Sequence, residues 1–541
     1  MKTAYYNGTV YTGEMPMQEA FLTENGFFGQ TGTNKEILAC LGPDDTKVDL
    51  KGGFVCAGFI DSHMHLLNFG QSLHGARLAE HTGSLREMLE YLKEFLRLNP
   101  PRPGQWLTGR GWNQDYFSDE KRMPTRRDLD GVSAEIPVMI TRTCGHSCVV
   151  NSETLEKAGI DRNTPDPEGG TIGRDENGEP DGRLYENAIN LLDAVRPQPD
   201  KTTLKEMLLL AMKEVNRYGI TSIHTDDYST FGSVPWQLIN EAYRELETAG
   251  QMTVRVTEQC NFTDLSEFMK FTEAGNRSGK GSEFFKIGPL KLLGDGSLGS
   301  RTAHLSRPYL QGNGDCGFSL FDPEYMKKMV FWAHTHGMNA VVHAIGDACL
   351  DEVLDAFESA LTADPRPDHR HGIVHCQVSR KDQLERIARL GLHVYAQSIF
   401  LDYDNHIVEK LVPPELAAYS YSWKTLLNMG ICVSNGSDCP VELPNVMAGI
   451  QCAVTRRSLD GFGPFLPREA FSVREALDSF TVAGAKAGFE ENEKGRIREG
   501  MRADFVILGS DPFQTKPSQL HAIPVIATCL GGKEVYRNPE K

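Results

Sequence analysis

No stretch of this sequence approaches the roughly 20 consecutive apolar residues that a membrane-spanning helix requires. Its opening, MKTAYYNGTVYTGEMP, offers one Lys and then polar and Gly residues where a secretory leader has its apolar core. Positive charge is scarce as well: 56 Lys and Arg stand against 73 Asp and Glu, a formal net charge of −17. Proteins that grip phosphate backbones or anionic lipid carry the opposite balance, so neither nucleic acid nor a membrane is expected as a partner. A dense cysteine framework is missing too. The 12 cysteines are scattered from Cys40 to Cys529, mostly inside apolar runs such as FVCAGFI and GICVSNG. Reduced, buried thiols are therefore expected rather than the disulfides of a small secreted scaffold. Gly (52) and Pro (28) keep near-average shares, and no repeat or low-complexity tract stands out. The expectation is a soluble, cytoplasmic protein.

What is present is globular composition, with 40% hydrophobic and 24% charged residues. At 541 residues the chain exceeds the size at which single cores stop growing, about 250–300 residues, so more than one structural unit is expected. The two ends share a texture of short alternating runs broken by Gly, Asn and Asp, as in TAYYNGTVYTG and VIATCLGGKEVYRN. Such runs read as β-hairpins. Neither end suffices for a core, so residues 1–56 and 486–541 are expected to combine into one small β-sandwich. Between them, amphipathic stretches ending in Gly (TLKEMLLLAMKEVNRYG, EYMKKMVFWAHTHG, QLERIARLG) alternate with short apolar runs (ITSIHTDD, MNAVVHAIGD, LHVYAQSIF, ICVSNGSDCP). Repeated strand–loop–helix units predict an α/β fold, a (β/α)8 TIM barrel over residues 57–485. Polar residues terminate many separate strands, which disfavours a doubly wound open sheet. The Pro/Gly/Asp-rich stretch from about 70 to 200 reads as an insertion.

Three His-x-His pairs occur: His63/His65, His334/His336 and His369/His371. In a strand, residues i and i+2 share a face, so both imidazoles can reach one metal; on a helix they diverge by about 200°. His63 and His65 close the run GGFVCAGFIDSHMHL, an apolar strand turning polar at its C-terminal end. His334 and His336 fall at a helix end, where imidazolium meets the helix dipole favourably. His369 and His371, in the polar loop PRPDHRHG, read as solvated. Only the first pair is a candidate ligand pair. The cluster Cys144-Gly-His146-Ser-Cys148 lacks a second ligand pair at finger-like spacing and is not read as a zinc site.

Other strand ends add His343 (MNAVVHAIGD), His375 (HGIVHCQV), Asp438 (ICVSNGSDCPV) and Lys291 (FKIGPLKLLGDGS). The 32-residue step from His343 to His375 fits one βα unit, and the 63-residue step to Asp438 fits two, with Gln397 ending the strand between. The C-terminal strand ends are where such barrels do chemistry. Buried imidazoles and carboxylates need partners, and a metal would supply them.

With these residues in place, the sequence resembles the amidohydrolase superfamily. The blocks FIDSHMHL, KLLGDGSLGSRTA, VVHAIGD, SNGSDCPV and ADFVILGSDPF resemble its YtcJ-like branch, which includes N-substituted formamide deformylase. The resemblance implies that His63, His65 and Asp438 bind one divalent metal and His343 and His375 a second, both zinc, bridged by a carbamate on Lys291. It implies attack of metal-activated hydroxide on an amide-type carbonyl, with Asp438 carrying the proton to the leaving nitrogen. Arg301, in the loop after Lys291, is a candidate for holding a carboxylate or oxyanion. His146, Trp112 and Gln397 are further candidates for substrate contacts. The expected partners are a small-molecule amide-type substrate and a second copy of the chain in a homodimer.

Two alternatives remain. A mononuclear deaminase on the same fold generally needs a Glu three residues after a barrel His. Here Ala-Ile-Gly-Asp follows His343 and Thr-Asp-Asp follows His224. A non-catalytic regulatory or binding protein retaining the fold should have lost ligands, yet all six positions are filled.

Overall fold

The computed structural model describes residues 2–142, 147–167, 170–310 and 314–540. The chain divides into two compact units, one of residues 67–210 and one of the remainder. Among the described residues no helix is long and apolar enough to cross a membrane.

The larger unit holds the barrel. Its strands are β1 (Phe59–Met64), β2 (Ile220–Thr225), β3 (Arg255–Asn261), β4 (Phe285–Leu293), β5 (Ala340–Ala344), β6 (Gly372–His375), β7 (His393–Ala396) and β8 (Val433–Asn435). They lie in sequence order in one eight-stranded sheet, and every paired neighbour is parallel. Just beyond β8, Asp438 donates its N–H to His63 O (2.8 Å) and His65 donates to Cys439 O (2.8 Å), which ties the last strand to the first. The (β/α)8 barrel expected from the sequence is thus what the chain forms. Its strands are apolar runs because both faces are covered; β2 and β8 are buried along their whole length. Helices such as Trp236–Thr248, Asp347–Ala363 and Lys381–Leu390 alternate with them, the last closed by Gly391 at φ 67°, a left-handed position suited to Gly.

Two small sheets, drawn from both ends of the chain, complete this unit. One orders Phe27–Gly32, Ala20–Glu24, Lys2–Tyr6 and Thr46–Asp49; the other orders Thr9–Val10, Phe54–Ala57, Phe505–Leu508, Val525–Leu530 and Lys533–Arg537. Tyr5 stacks on Phe21 (4.8 Å), and Phe505 meets Phe21 edge-on (5.1 Å), so residues from both ends share one core. Phe54–Ala57 pairs antiparallel with Phe505–Leu508 and runs through Gly58 straight into β1. A Cβ on Gly58 would sit 2.3 Å from Thr221 Oγ1, so no side chain fits at that junction.

Residues 67–210, read from sequence as loop-rich, contain a six-stranded sheet with Val138–Arg142, Ser147–Val150 and Leu107–Trp112 among its strands. Helix Leu85–Leu98 starts at Ser84, whose hydroxyl accepts the Glu87 N–H.

Two expectations about histidines need correction. His369 (5% exposed) and His371 (0%) are buried rather than solvated, and His334 (2%) is buried rather than an exposed helix-end charge. Ala340 N–H donates to His371 Nδ1 (2.9 Å), so the His371 proton sits on Nε2 and is given to His334 Nδ1 (2.9 Å). His334 Nε2–H then donates to Asp364 O (2.6 Å), while His369 accepts the His371 N–H at Nδ1 (2.9 Å) and donates from Nε2 to Leu390 O (3.0 Å). The rings are neutral and every nitrogen is used. Together they fasten helix Pro323–Thr335 to the N-terminal ends of β5 and β6, the barrel face opposite the strand ends that carry Lys291, His343 and His375. His336 is half-exposed and stacks on Trp332 at 3.7 Å.

Candidate metal centre

The C-terminal ends of β1, β4, β5, β6 and β8 bring His63, His65, Lys291, His343, His375 and Asp438 to one end of the barrel. His63 and His65 direct Nε2 at the same oxygen, Asp438 Oδ1, at 3.3 and 3.1 Å. One ligand atom from each of these three residues lies within 4.8 Å of the others. The His63 and His375 rings are 5.8 Å apart, and those of His343 and His375 4.4 Å. His375 (φ 74°) and Asp438 (φ 57°) adopt left-handed backbone that non-glycine residues avoid, a strain that recurs at functional sites. Trp423 Nε1–H holds the His375 carbonyl in that turn (3.0 Å).

The ring orientations are fixed from behind. His63 Nδ1 meets Gln259 Oε1 at 2.6 Å, and the Gln259 amide is oriented by donating to Ser62 O (3.2 Å). His375 Nδ1 meets Gln397 Oε1 at 2.7 Å, and Gln397 donates to Tyr395 O (3.0 Å). His65 Nδ1 faces Asp226 O at 3.1 Å. Each acceptor demands a proton on Nδ1 and turns Nε2 inward. His343 is reversed: its Nε2 lies 3.0 Å from Gly296 O and 3.3 Å from Asp295 Oδ1, which leaves Nδ1 for the centre.

The electrostatics match a cation-binding donor set. Burial disfavours the Asp438 anion, but hydrogen bonds from His63 and His65 outweigh it and hold the carboxyl well below the usual range. Burial likewise works against a charged His65, yet Asp438 raises it to about 9. His63 and His375 are lowered chiefly by burial. Lys291 is 0% exposed and its Nζ has no hydrogen-bond partner. Burial lowers its pKa, against the pull of Asp226 and Asp438. A stranded ammonium would be costly there, so a neutral amine or a modified one is what the pocket tolerates. Imidazole nitrogens turned inward, a carboxylate and an orphaned amine are a set that divalent metal would satisfy, the cation taking the place of the proton that His65 shares with Asp438.

Sequence reading passed over several residues that frame the site. Asp226, at the end of β2, is buried and accepts hydrogen bonds from Ser229 Oγ (2.9 Å) and Asn261 Nδ2 (2.9 Å). Asp61, lifted to about 7 by burial, accepts from Ser437 N and Oγ and from His63 N. Their signal was an acid at or beside a barrel-strand end, in HTDD and FIDSH. Among the candidate substrate residues, Arg301 is half-buried on the loop after β4 at φ 60°. Gln397 is engaged by His375 and Tyr395. Trp112 is fully buried in the apolar core of the 67–210 unit. His146 and Cys144 lie outside the described residues, and Cys148 is buried.

The comparisons with known proteins agree with this geometry. Residues 46–536 match the profile of the amidohydrolase family. The amidohydrolase-family protein YtcJ of Bacillus subtilis (strain 168) is 34% identical over 542 residues, 99% of each chain. N-substituted formamide deformylase of Arthrobacter pascens is 27% identical, covering 95% of this chain and 94% of its own. The crystal structure of an uncharacterized metal-dependent hydrolase from Pyrococcus furiosus superposes with a TM-score of 0.79 at 28% identity, over 95% of this chain and 100% of that one. Family profile, whole-length relatives and barrel site converge, and the chain belongs to the amidohydrolase family.

Proposed function

We propose that this protein is a metal-dependent hydrolase of carbon–nitrogen bonds other than peptide bonds, acting on a small amide-type substrate such as an N-substituted formamide. The observation that carries the reading is Lys291: a buried amine with no hydrogen bond, at a barrel-strand end, among His63, His375 and Asp438. A carbamate formed there from the neutral amine and carbon dioxide, with loss of one proton, would supply one negative charge shared by two oxygens. His63, His65 and Asp438 would then hold one divalent ion and His343 and His375 a second, zinc being suited to imidazole and carboxylate donors. Ions bound there would polarise the substrate carbonyl and make the attacking water more acidic.

The remaining steps belong to the chain itself. Asp438, already bonded to two imidazoles, stands as a carboxylate, which supports its role as acceptor of a proton from the attacking water. A carbon–oxygen bond forms, the carbon–nitrogen bond breaks, and Asp438 returns that proton to the departing nitrogen, leaving a carboxylate and an amine. Gln259, Gln397 and the Asp226 carbonyl keep their imidazoles from rotating. A second reading, a single-metal centre, draws support from the tight grouping of His63, His65 and Asp438 alone.

Elemental analysis of protein purified without chelator, followed by a screen of N-formyl, N-acyl and cyclic amides, tests the proposal. About two ions per chain and amine release from an amide are expected. One ion favours the second reading, and none after supplementation refutes both.

A further inference from the structure

We infer that Asp295 is a positioning residue: its carboxylate turns His343 over, so that Nδ1 rather than Nε2 faces the metal centre, and locks the loop bearing Arg301 to that ring. The inference rests on reading His343 as a ligand of the second ion.

Asp295 follows β4 by two residues and is 1% exposed. Among the described residues no Lys or Arg ion-pairs with it. Its charge is instead met by main-chain donors: Ile345 N–H at 3.0 Å on Oδ1, and Gly346 N–H at 2.8 Å and His304 N–H at 2.9 Å on Oδ2. His343 Nε2 stands 3.3 Å from Oδ1, with Gly296 O on the same nitrogen at 3.0 Å. A nitrogen between a carboxylate and a carbonyl must carry the proton, because a lone pair there would face two acceptors. Nδ1 is then bare. His63, His65 and His375 are each held through Nδ1 by a neutral amide or carbonyl oxygen. His343 alone is held through Nε2, and alone has a carboxylate behind it. An anionic partner fixes ring and tautomer.

The neighbouring glycines show how tightly this arrangement is built. A Cβ on Gly296 would lie 2.0 Å from Thr302 Oγ1, and one on Gly346 2.0 Å from His304 O. On Gly294 it would lie 2.5 Å from Cys349 Sγ and 2.6 Å from His343 O. These close approaches let one carboxylate reach the loops after β4 and β5 together. The segment from Asp295 to His304, which includes Arg301, is closed by the same group that orients the ring.

Asp347 provides the control. It staples the same two loops, accepting from Ser306 N (2.9 Å) and Oγ (2.5 Å) and pairing with Arg380 (2.7 Å), but its partners among the described residues do not include His343. Asp295→Asn replaces one acceptor oxygen by a donor and relieves the conflict most readily by releasing the ring. It should drop metal content from about two to about one ion per chain, with a 10–100-fold weaker second site by chelator competition. Asp347→Asn should keep both ions. Should Asp295→Asn fail to fold by circular dichroism, Asp295→Ser serves in its place, and anomalous diffraction from zinc-loaded wild-type crystals gives a separate answer. An ion on His343 Nδ1 supports the inference, and one on Nε2 overturns it. Wild-type stoichiometry and affinity in Asp295→Asn also overturn it, as does equal metal loss in both variants, which would reduce Asp295 to a loop anchor. A wild-type protein that never takes up a second ion removes the two-ion reading in favour of the single-metal centre, and the inference with it.

Discussion

His334→Leu separates a structural histidine from a ligand. The substitution roughly conserves volume but removes the acceptor of the His371 Nε2–H, on a ring with 0% exposure, and the donor to Asp364 O. Asp364 is a partly exposed helix cap whose carbonyl can turn to water. The His371 donor has no such outlet. One lost neutral hydrogen bond at about 1 kcal/mol plus one stranded buried donor at about 1–3 kcal/mol gives a loss of about 2–4 kcal/mol. His336→Gln, by contrast, forfeits the half-exposed stack on Trp332, about 0.5–1 kcal/mol, and the local contacts of Nδ1 with Trp332 O (2.9 Å) and Thr335 Oγ1 (3.1 Å), which an exposed Gln amide or water can replace. Urea unfolding at pH 7.5 reads both losses, and metal content should not change in either variant. Combining His334→Leu with His371→Phe should show a coupling energy of about 0.5–3 kcal/mol, since the two rings share a bond. Burial holds His371 well below 6.5 in the folded state. Below pH 6.5 the unfolded chain therefore takes up a proton the folded chain refuses, and the stability this ring contributes at higher pH is progressively lost. The destabilisation by His371→Phe should accordingly shrink by about 1.4 kcal/mol between pH 7.5 and 5.5. A cost below about 1 kcal/mol for His334→Leu, or a fall in its metal content, would refute the hydrogen-bonded network.

Three further outcomes bear on the centre. His63→Gln with His65→Gln should abolish activity and empty the first metal position, whereas the unaltered metal content of the His334 variant supplies the contrast. Lys291→Ala should weaken or empty the metal pair, and bicarbonate with a short carboxylic acid should partly restore it; electron density ending at a bare amine in an active, fully loaded wild type would contradict the carbamate. Asp438→Asn keeps shape and one carbonyl oxygen, so on metal-replete protein kcat should fall roughly 10²–10⁴-fold. Near wild-type turnover would leave Asp438 a ligand only.

The barrel was legible in the sequence because strand-end polar residues such as His343, His375 and Asp438 recur at βα spacing, and the structure sets them at one end of the barrel. The first His-x-His pair was separable by its strand setting, since i and i+2 share a face there. The other pairs were not. His369 and His371 sit in a stretch of Pro, Asp and Arg that reads as solvated, yet tertiary packing under helix Pro323–Thr335 buries them. Gln259, Asp226 and Asp295 escaped notice for a related reason. Each earns its place through a neighbour from another strand or loop, such as His63 for Gln259 at a separation of 196 residues. No periodicity records such a meeting. The six-stranded sheet within 67–210 was hidden by its turn-rich joints.

The junction at Gly58 bears on when the centre can exist during synthesis. The strand feeding His63 and His65 into the barrel is held by Phe505–Leu508, made about 440 residues later. At roughly 5–20 residues per second the ribosome needs roughly 20–90 s to deliver that partner. Asp438, which shares its oxygen between both imidazoles, itself follows His63 by about 375 residues. A nascent chain therefore displays its His-x-His pair well before the carboxylate or the supporting sheet emerges. On the proposed function, selective metal capture would belong to the closed barrel, and the availability of ions after translation, rather than during it, would govern how much of the protein becomes competent.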